Sequence, residues 1–390
     1  MSMSAAEAEA EIRAGVAALQ GRNAAAARRH FETVIERGSP LPPPWFALAQ
    51  ACRHAGDHAA AEAALDTFLA QEPRNIGALI MKGDCRWQAD DKRAATSFYQ
   101  LALAAAARTG SVSPMLAAEL GRIESLSTTA QSEFEHHLEA KLAEAGVGGG
   151  DRGGRFAESV DIMLGRRKVY LQEPNSFYFP RLPQIQYYER EYFPWIGEVE
   201  AAAPAIRAEL EAVLAAEDGF SPYVEANPDR PLPNSPLLGD PSWSAFYLWK
   251  SGAPAEGNAE RCPRTMAALA KAPMPRIRGR SPVALFSLLR PGTHIKPHHG
   301  LLNTRLICHL PLIVPPGCRL RVGNEVRTWE PGKALIFDDS IEHEAWNDGS
   351  ETRVVMIFEI WRPEITSDER AALTAMFEAI TDYQGAPQES

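Results

Sequence analysis

Five of the ten histidines stand between residues 294 and 343: His294, His298, His299 and His309 in one run, and His343 beyond it. A neutral imidazole offers a lone pair that suits iron, zinc, copper or nickel alike, so two rings distant in sequence could share one metal ion. His298 and His343 are the expected pair, because the first follows one predicted strand and the second precedes another. Arg353, ten residues past His343, carries a planar guanidinium whose fork matches a carboxylate. In the usual facial triad of non-haem iron a carboxylate completes the set, often two residues after the first histidine; Gly300 occupies that place here. The residues alone leave two readings open: no metal site, or a site in which water fills the third position.

Such residues need a scaffold. From residue 282 onward, short apolar runs at 283–289, 305–314, 318–322, 334–337 and 353–361 alternate with Pro/Gly turns, the spacing of a sandwich or jelly roll. Helices are expected at about 196–216 and 367–381. A proline-rich loop, 221–241, leads into the apolar segment Trp243 to Trp249, and aromatics and prolines crowd the stretch from Tyr170 to Trp195. The N-terminal part repeats every 34 residues from about 8 to 109. Gly15, Ala49 and Gly83 share one small-residue position, Ala27, Ala61 and Ala95 a second, and Phe31, Leu65 and Tyr99 a large apolar third. With Trp45, Leu48 and Pro73, this resembles about three tetratricopeptide repeats, each a pair of antiparallel helices. Residues 110–145 continue helical, and 146–154, with six glycines in nine positions, reads as a flexible linker. The expected organisation is α+β and multidomain: a helical tetratricopeptide-like solenoid (1–145), the linker (146–154), and a double-stranded β-helix, cupin-like domain with flanking helices (155–390).

Composition narrows the function. With 45% hydrophobic and 23% charged residues the chain is ordinary for a globular protein, and its net charge of −10 argues against a general nucleic-acid binder. No apolar run approaches the roughly 20 residues of a membrane span, and the start lacks a signal-peptide pattern, so a cytoplasmic protein is expected. Five scattered cysteines without a CxxC pair point to reduced, mostly buried thiols. Residues 261–330 reverse the charge, with twelve Lys/Arg against Glu325 and Glu330. That segment either attracts anionic ligands or is a solvated face paired with acids elsewhere.

Taken together, the stretches Pro291 to Gly300, Asn303 to Leu310, Trp329 to Lys333 and Phe337 to Asn347 resemble the aspartyl/asparaginyl β-hydroxylase family of 2-oxoglutarate-dependent oxygenases, including its missing carboxylate. The likeness covers about 170–365. It implies that His298 and His343 bind Fe(II) and that Ser287, His309 and Arg353 bind 2-oxoglutarate. It also implies that Trp243, in a Trp-Ser-x-Phe-x-Leu-Trp segment, lies near the cosubstrate, that Asp339 stands near a metal-bound water, and that Arg305 faces the substrate. The implied reaction consumes dioxygen and 2-oxoglutarate, yields succinate and CO2, and hydroxylates the β-carbon of Asp or Asn in a peptide or protein. The basic segment suggests an acidic partner, recruited by the repeats. The alternatives are hydroxylation of a lipid acyl chain or a small acidic metabolite, and a non-catalytic scaffold.

Overall fold

The computed structural model describes residues 2–147, 154–226 and 235–384. Residues 148–153 of the expected linker and 227–234 of the proline-rich loop lie outside them. The chain divides into two compact units, Met1–Ala157 and Glu158–Ser390.

The first unit is helical: α1 (Ala5–Gln20), α2 (Ala24–Arg37), α3 (Trp45–His54), α4 (His58–Gln71), α5 (Ile76–Gln88), α6 (Lys92–Ala107) and α7 (Pro114–Glu144). Helices α1/α2, α3/α4 and α5/α6 form the three repeat pairs. Asn23, Asp57 and Asp91, 34 residues apart, cap α2, α4 and α6, each side chain accepting the N–H three residues on, which satisfies an otherwise orphaned donor. The repeat positions explain the packing. A Cβ on Gly15 would lie 2.5 Å from Phe31 Cε1, and one on Gly83 would lie 2.3 Å from Tyr99 Cε1. Where the large position holds the slimmer Leu65, its counterpart Ala49 fits, and both are fully buried. Small and large positions are therefore volume-matched within each pair.

Helix α8 (Arg155–Met163) spans the division between the units. The second unit contains α9 (Ile196–Ala201), α10 (Ala203–Ala215), α11 (Asn258–Arg261), α12 (Pro263–Leu269) and α13 (Ser367–Gln384) around two antiparallel sheets. The strands are β1 (Tyr187–Tyr188), β2 (Ser221–Pro222), β3 (Trp243–Lys250), β4 (Ala253–Pro254), β5 (Ala284–Leu289), β6 (Thr293–His298), β7 (Arg305–Ile313), β8 (Cys318–Val322), β9 (Glu325–Arg327), β10 (Leu335–Phe337), β11 (His343–Asn347) and β12 (Arg353–Trp361). The large sheet runs β1-β10-β7-β12-β5-β3-β2 with β4 beside β3, and the small sheet runs β6-β11-β8-β9. From β5 to β12 the chain alternates between the two sheets, apart from the β8–β9 hairpin that stays in the small one, the connectivity of a double-stranded β-helix.

Period-2 alternation sorts the large sheet's side chains. Phe286, Cys308, Met356 and Phe358 pack against Ile206, Leu210 and Leu269 of the helical layer. The opposite face presents Ser287, Arg305, Ile307, His309, Arg353, Ile357 and Glu359 to the space between the sheets. Three expectations change in detail. The expected helix at 196–216 is broken at Ala202 into α9 and α10. His298 ends a strand instead of following one, and His343 begins one. Strands β6 (Thr-His-Ile-Lys-Pro-His) and β11 (His-Glu-Ala-Trp-Asn) are short and interrupted by polar residues, so neither shows an apolar run. All five cysteines are free and buried, and among the described residues no helix is long and apolar enough to cross a membrane.

Candidate active site

His298 and His343 are direct cross-strand partners in the β6–β11 ladder, with ring centroids 4.1 Å apart. A bulge makes this possible: His343 pairs with His298 and Ala345 with Ile295, so β6 holds one extra residue. Strict alternation would place His298 beside outward-facing His294; the bulge turns it inward, toward the face of Ile295. His298 Nδ1 lies 2.8 Å from the Lys296 carbonyl and His343 Nδ1 3.1 Å from the Ile341 carbonyl. A carbonyl only accepts, so both Nδ1 atoms carry the proton and donate it, leaving the Nε2 lone pairs for another partner. Burial holds both rings below the ordinary histidine pKa, and their mutual repulsion adds to this for His343. Both rings are therefore held in the neutral form that a metal ligand needs.

Gly300 is required by its neighbour. A Cβ there would lie 2.0 Å from Asp339 Oδ2 and 2.3 Å from Asp339 Cγ. The Asp339 carboxylate thus fills the space that a side chain at 300 would need. Asp339 is buried, its Oδ1 has no hydrogen-bond partner, and burial raises its pKa to about 7 against the opposing pull of Arg305. Arg305 bridges Asp339 Oδ2 at 3.4 Å and Glu359 Oε2 at 2.7 Å.

The other cluster lies on the large sheet. Arg353 is 1% exposed, yet among the described residues no carboxylate pairs with it and its Nε lacks an acceptor; burial brings its pKa down to about 10. His309 is buried with an unpartnered Nδ1, and burial, aided by Arg353, takes it down to about pKa 3. The buried Ser287 hydroxyl accepts from Trp243 Nε1 at 3.3 Å. Trp243 stacks on Tyr223 at 4.1 Å, with its ring 6.4 Å from His298.

All eight sequence-derived residues line one cavity of about 570 Å³. Among the described residues no group of three or more His, Cys, Asp or Glu side chains is placed to hold a metal, so a metal here would have the two imidazoles as its protein ligands. Their free Nε2 atoms fit that role. The orphaned donors of Arg353 and His309, with the Ser287 hydroxyl, fit an anion. His294 lies elsewhere, bonded to Glu344 at 2.8 Å and stacked on Trp346 at 4.8 Å, whereas His299 reaches the cavity rim. The basic segment forms no single field: Arg261, Lys271, Arg278, Arg319, Arg321 and Arg327 each pair with a carboxylate.

Sequence reading missed the supports. Glu359 shares the cavity face with Arg353 and was legible from period 2. Asp338 and Arg362, both fully buried, pair at 2.6 Å. Asp338 also accepts from Gln172 Nε2 at 2.7 Å, and Gln172 Oε1 accepts from Asn303 Nδ2 at 3.0 Å. With the Glu173 N–H donating to the Ser340 carbonyl and the Asn175 N–H to the Gly300 carbonyl, the segment 172–175 fastens the loops that carry His298 and His343. Nothing in its local pattern announces this.

Fold and site define a double-stranded β-helix protein whose pocket holds two facing imidazoles and a buried guanidinium without a paired carboxylate among the described residues, accompanied by a helical-repeat unit. Residues 200–363 match the aspartyl/asparaginyl β-hydroxylase family model, and 42–85 match the tetratricopeptide repeat. It is 40% identical over 188 residues to an ornithine lipid ester-linked acyl 2-hydroxylase of Rhizobium tropici, covering 47% of this chain and 63% of that one. It is 44% identical over 135 residues to the Homo sapiens aspartyl/asparaginyl β-hydroxylase, 34% of this chain and 18% of that. To the Homo sapiens aspartate β-hydroxylase domain-containing protein 2 it is 35% identical over 211 residues, 53% of this chain and 55% of that. The chain thus spans less than two thirds of each relative.

Proposed function

We propose that this protein is an Fe(II)- and 2-oxoglutarate-dependent dioxygenase that β-hydroxylates aspartyl or asparaginyl residues of a peptide or protein. The observation that carries this reading is one cavity containing two neutral imidazoles with free Nε2 atoms and a buried guanidinium without a counter-ion. When bound, iron and 2-oxoglutarate supply the oxidising power, with dioxygen divided between succinate and the new hydroxyl. His298 and His343 hold the metal. Arg353 takes the far carboxylate of 2-oxoglutarate in its fork, with the Ser287 hydroxyl beside it, and His309 donates to a cosubstrate carboxylate. Asp339, on the same cavity wall, would accept a hydrogen bond from water beside the imidazole pair, and the apolar lining from Ile295, Ile307, Leu320 and Phe337 excludes bulk solvent.

The two chemistries named among the relatives share a feature. The β-carbon of Asp or Asn and carbon 2 of an ester-linked acyl chain are both methylenes next to a carbonyl. Arg305, on the cavity wall and paired with Asp339 and Glu359, would hold that carbonyl. A second reading, acyl-chain hydroxylation, is favoured by the 40% identical lipid hydroxylase and by the apolar wall of Val283, Leu285, Leu301 and Ile357. The two separate by mass spectrometry after incubation with Fe(II), 2-oxoglutarate and either aspartyl/asparaginyl peptides or acyl-ester lipids. Gain of one oxygen on peptide supports the first reading; gain on lipid alone replaces it with the second. The repeats are proposed to recruit substrate, so removing 1–145 should raise KM more than it lowers kcat; unchanged kinetics would remove that role.

A further inference from the structure

Arg353 presents an electrostatic problem. Its side chain is buried on the cavity wall, while the cavity carboxylates Asp339 and Glu359 are engaged by Arg305. What stands against it is Trp329, whose ring centroid lies 5.0 Å from Arg353 Cζ. The same indole, 5% exposed, also stacks on the His309 ring at 5.9 Å and 25°. It sits in the turn between β9 and β10, behind the cavity lining, so it backs both anion donors without touching the cavity itself.

A carboxylate in this place would stabilise Arg353 equally well but would occupy the in-plane N–H donors that a ligand needs. An aromatic face meets the cation through its π-cloud and leaves those donors free. We propose that Trp329 is a positioning residue for the acidic cosubstrate: its face keeps the Arg353 guanidinium and the His309 ring in the poses that present their donors to the ligand. This rests on the 2-oxoglutarate reading above.

The test is equilibrium binding of 2-oxoglutarate to the full chain loaded with Mn(II), by titration calorimetry, with melting curves to verify folding. Trp329→Leu removes the face and should weaken 2-oxoglutarate by roughly ten- to thirtyfold, with Mn(II) affinity unchanged. Trp329→Phe keeps a smaller face and should recover most of the loss. Because Leu at a buried site can disturb folding, mono- and trifluorotryptophan placed at position 329 alone provide a shape-conserving series; 2-oxoglutarate affinity should fall stepwise as fluorine drains the ring's negative face. A flat series in a chain that binds 2-oxoglutarate overturns the role of Trp329 alone. A wild-type chain that binds no 2-oxoglutarate overturns the cosubstrate reading and this proposal with it.

Discussion

A buried guanidinium without a counter-ion costs folding free energy, and Arg353 is kept despite that cost. Arg353→Met should therefore leave the ligand-free chain as stable or more stable, by up to a few kcal/mol, while abolishing the rise in melting temperature that 2-oxoglutarate produces. A loss of several kcal/mol would instead make Arg353 structural. His309 gives a pH test. Its folded pKa of about 3 lies below the unfolded value of about 6.5, so the unfolded chain takes up the proton first. Its neutral burial is fully tolerated above about pH 6.5, and stability falls as pH drops from there toward 3. Between pH 7 and 5.5 this one site should cost about 1 kcal/mol. His309→Gln should flatten the fall in melting temperature over that interval; an unaltered slope would mean that His309 is charged in the folded state.

At the scale of elements, two devices matter: the volume-matched repeat pairs and the bulge in β6. Gly83→Ala forces a Cβ into the Tyr99 ring and should destabilise the helical unit by roughly 1–3 kcal/mol. Adding Tyr99→Leu rebuilds the Ala49–Leu65 pairing and should recover part of this in thermal melts, less the Tyr99–Asp84 hydrogen bond of 2.8 Å. Additive losses would contradict the matching. The same two devices mark how far the sequence was legible. The repeats announced themselves because each unit reuses one set of contacts at a fixed period. The large-sheet strands did too, since β5, β7 and β12 are long and apolar enough on the helical face. The bulge did not: Pro297 interrupts alternation, and only pairing with β11, 45 residues away from His298, reveals which way that ring turns. The clamp of Gln172, Asn303, Asp338 and Arg362 was invisible for a related reason, being polar residues from four distant segments whose only shared property is a buried meeting point.

For the whole molecule, a helical-repeat unit accompanies a double-stranded β-helix unit, similar to the hydroxylase family over residues 200–363, whose cavity is apolar on several sides and polar at two centres. One centre is the facing imidazole pair with Asp339; the other is the Arg353, His309 and Ser287 donor set. The family match begins at residue 200, yet 172–175 fasten the loops bearing both imidazoles, so the functional unit reaches beyond the matched region. The central claim is that these two centres bind iron and 2-oxoglutarate together for oxidation. The most direct measurement is succinate formed from 2-oxoglutarate by the purified full chain with Fe(II) and dioxygen, beside His343→Ala checked for native folding. The wild-type chain should form succinate, and His343→Ala should form none above the protein-free background. Equal succinate from both, or none from the wild-type chain with either peptide or lipid present, would contradict the account.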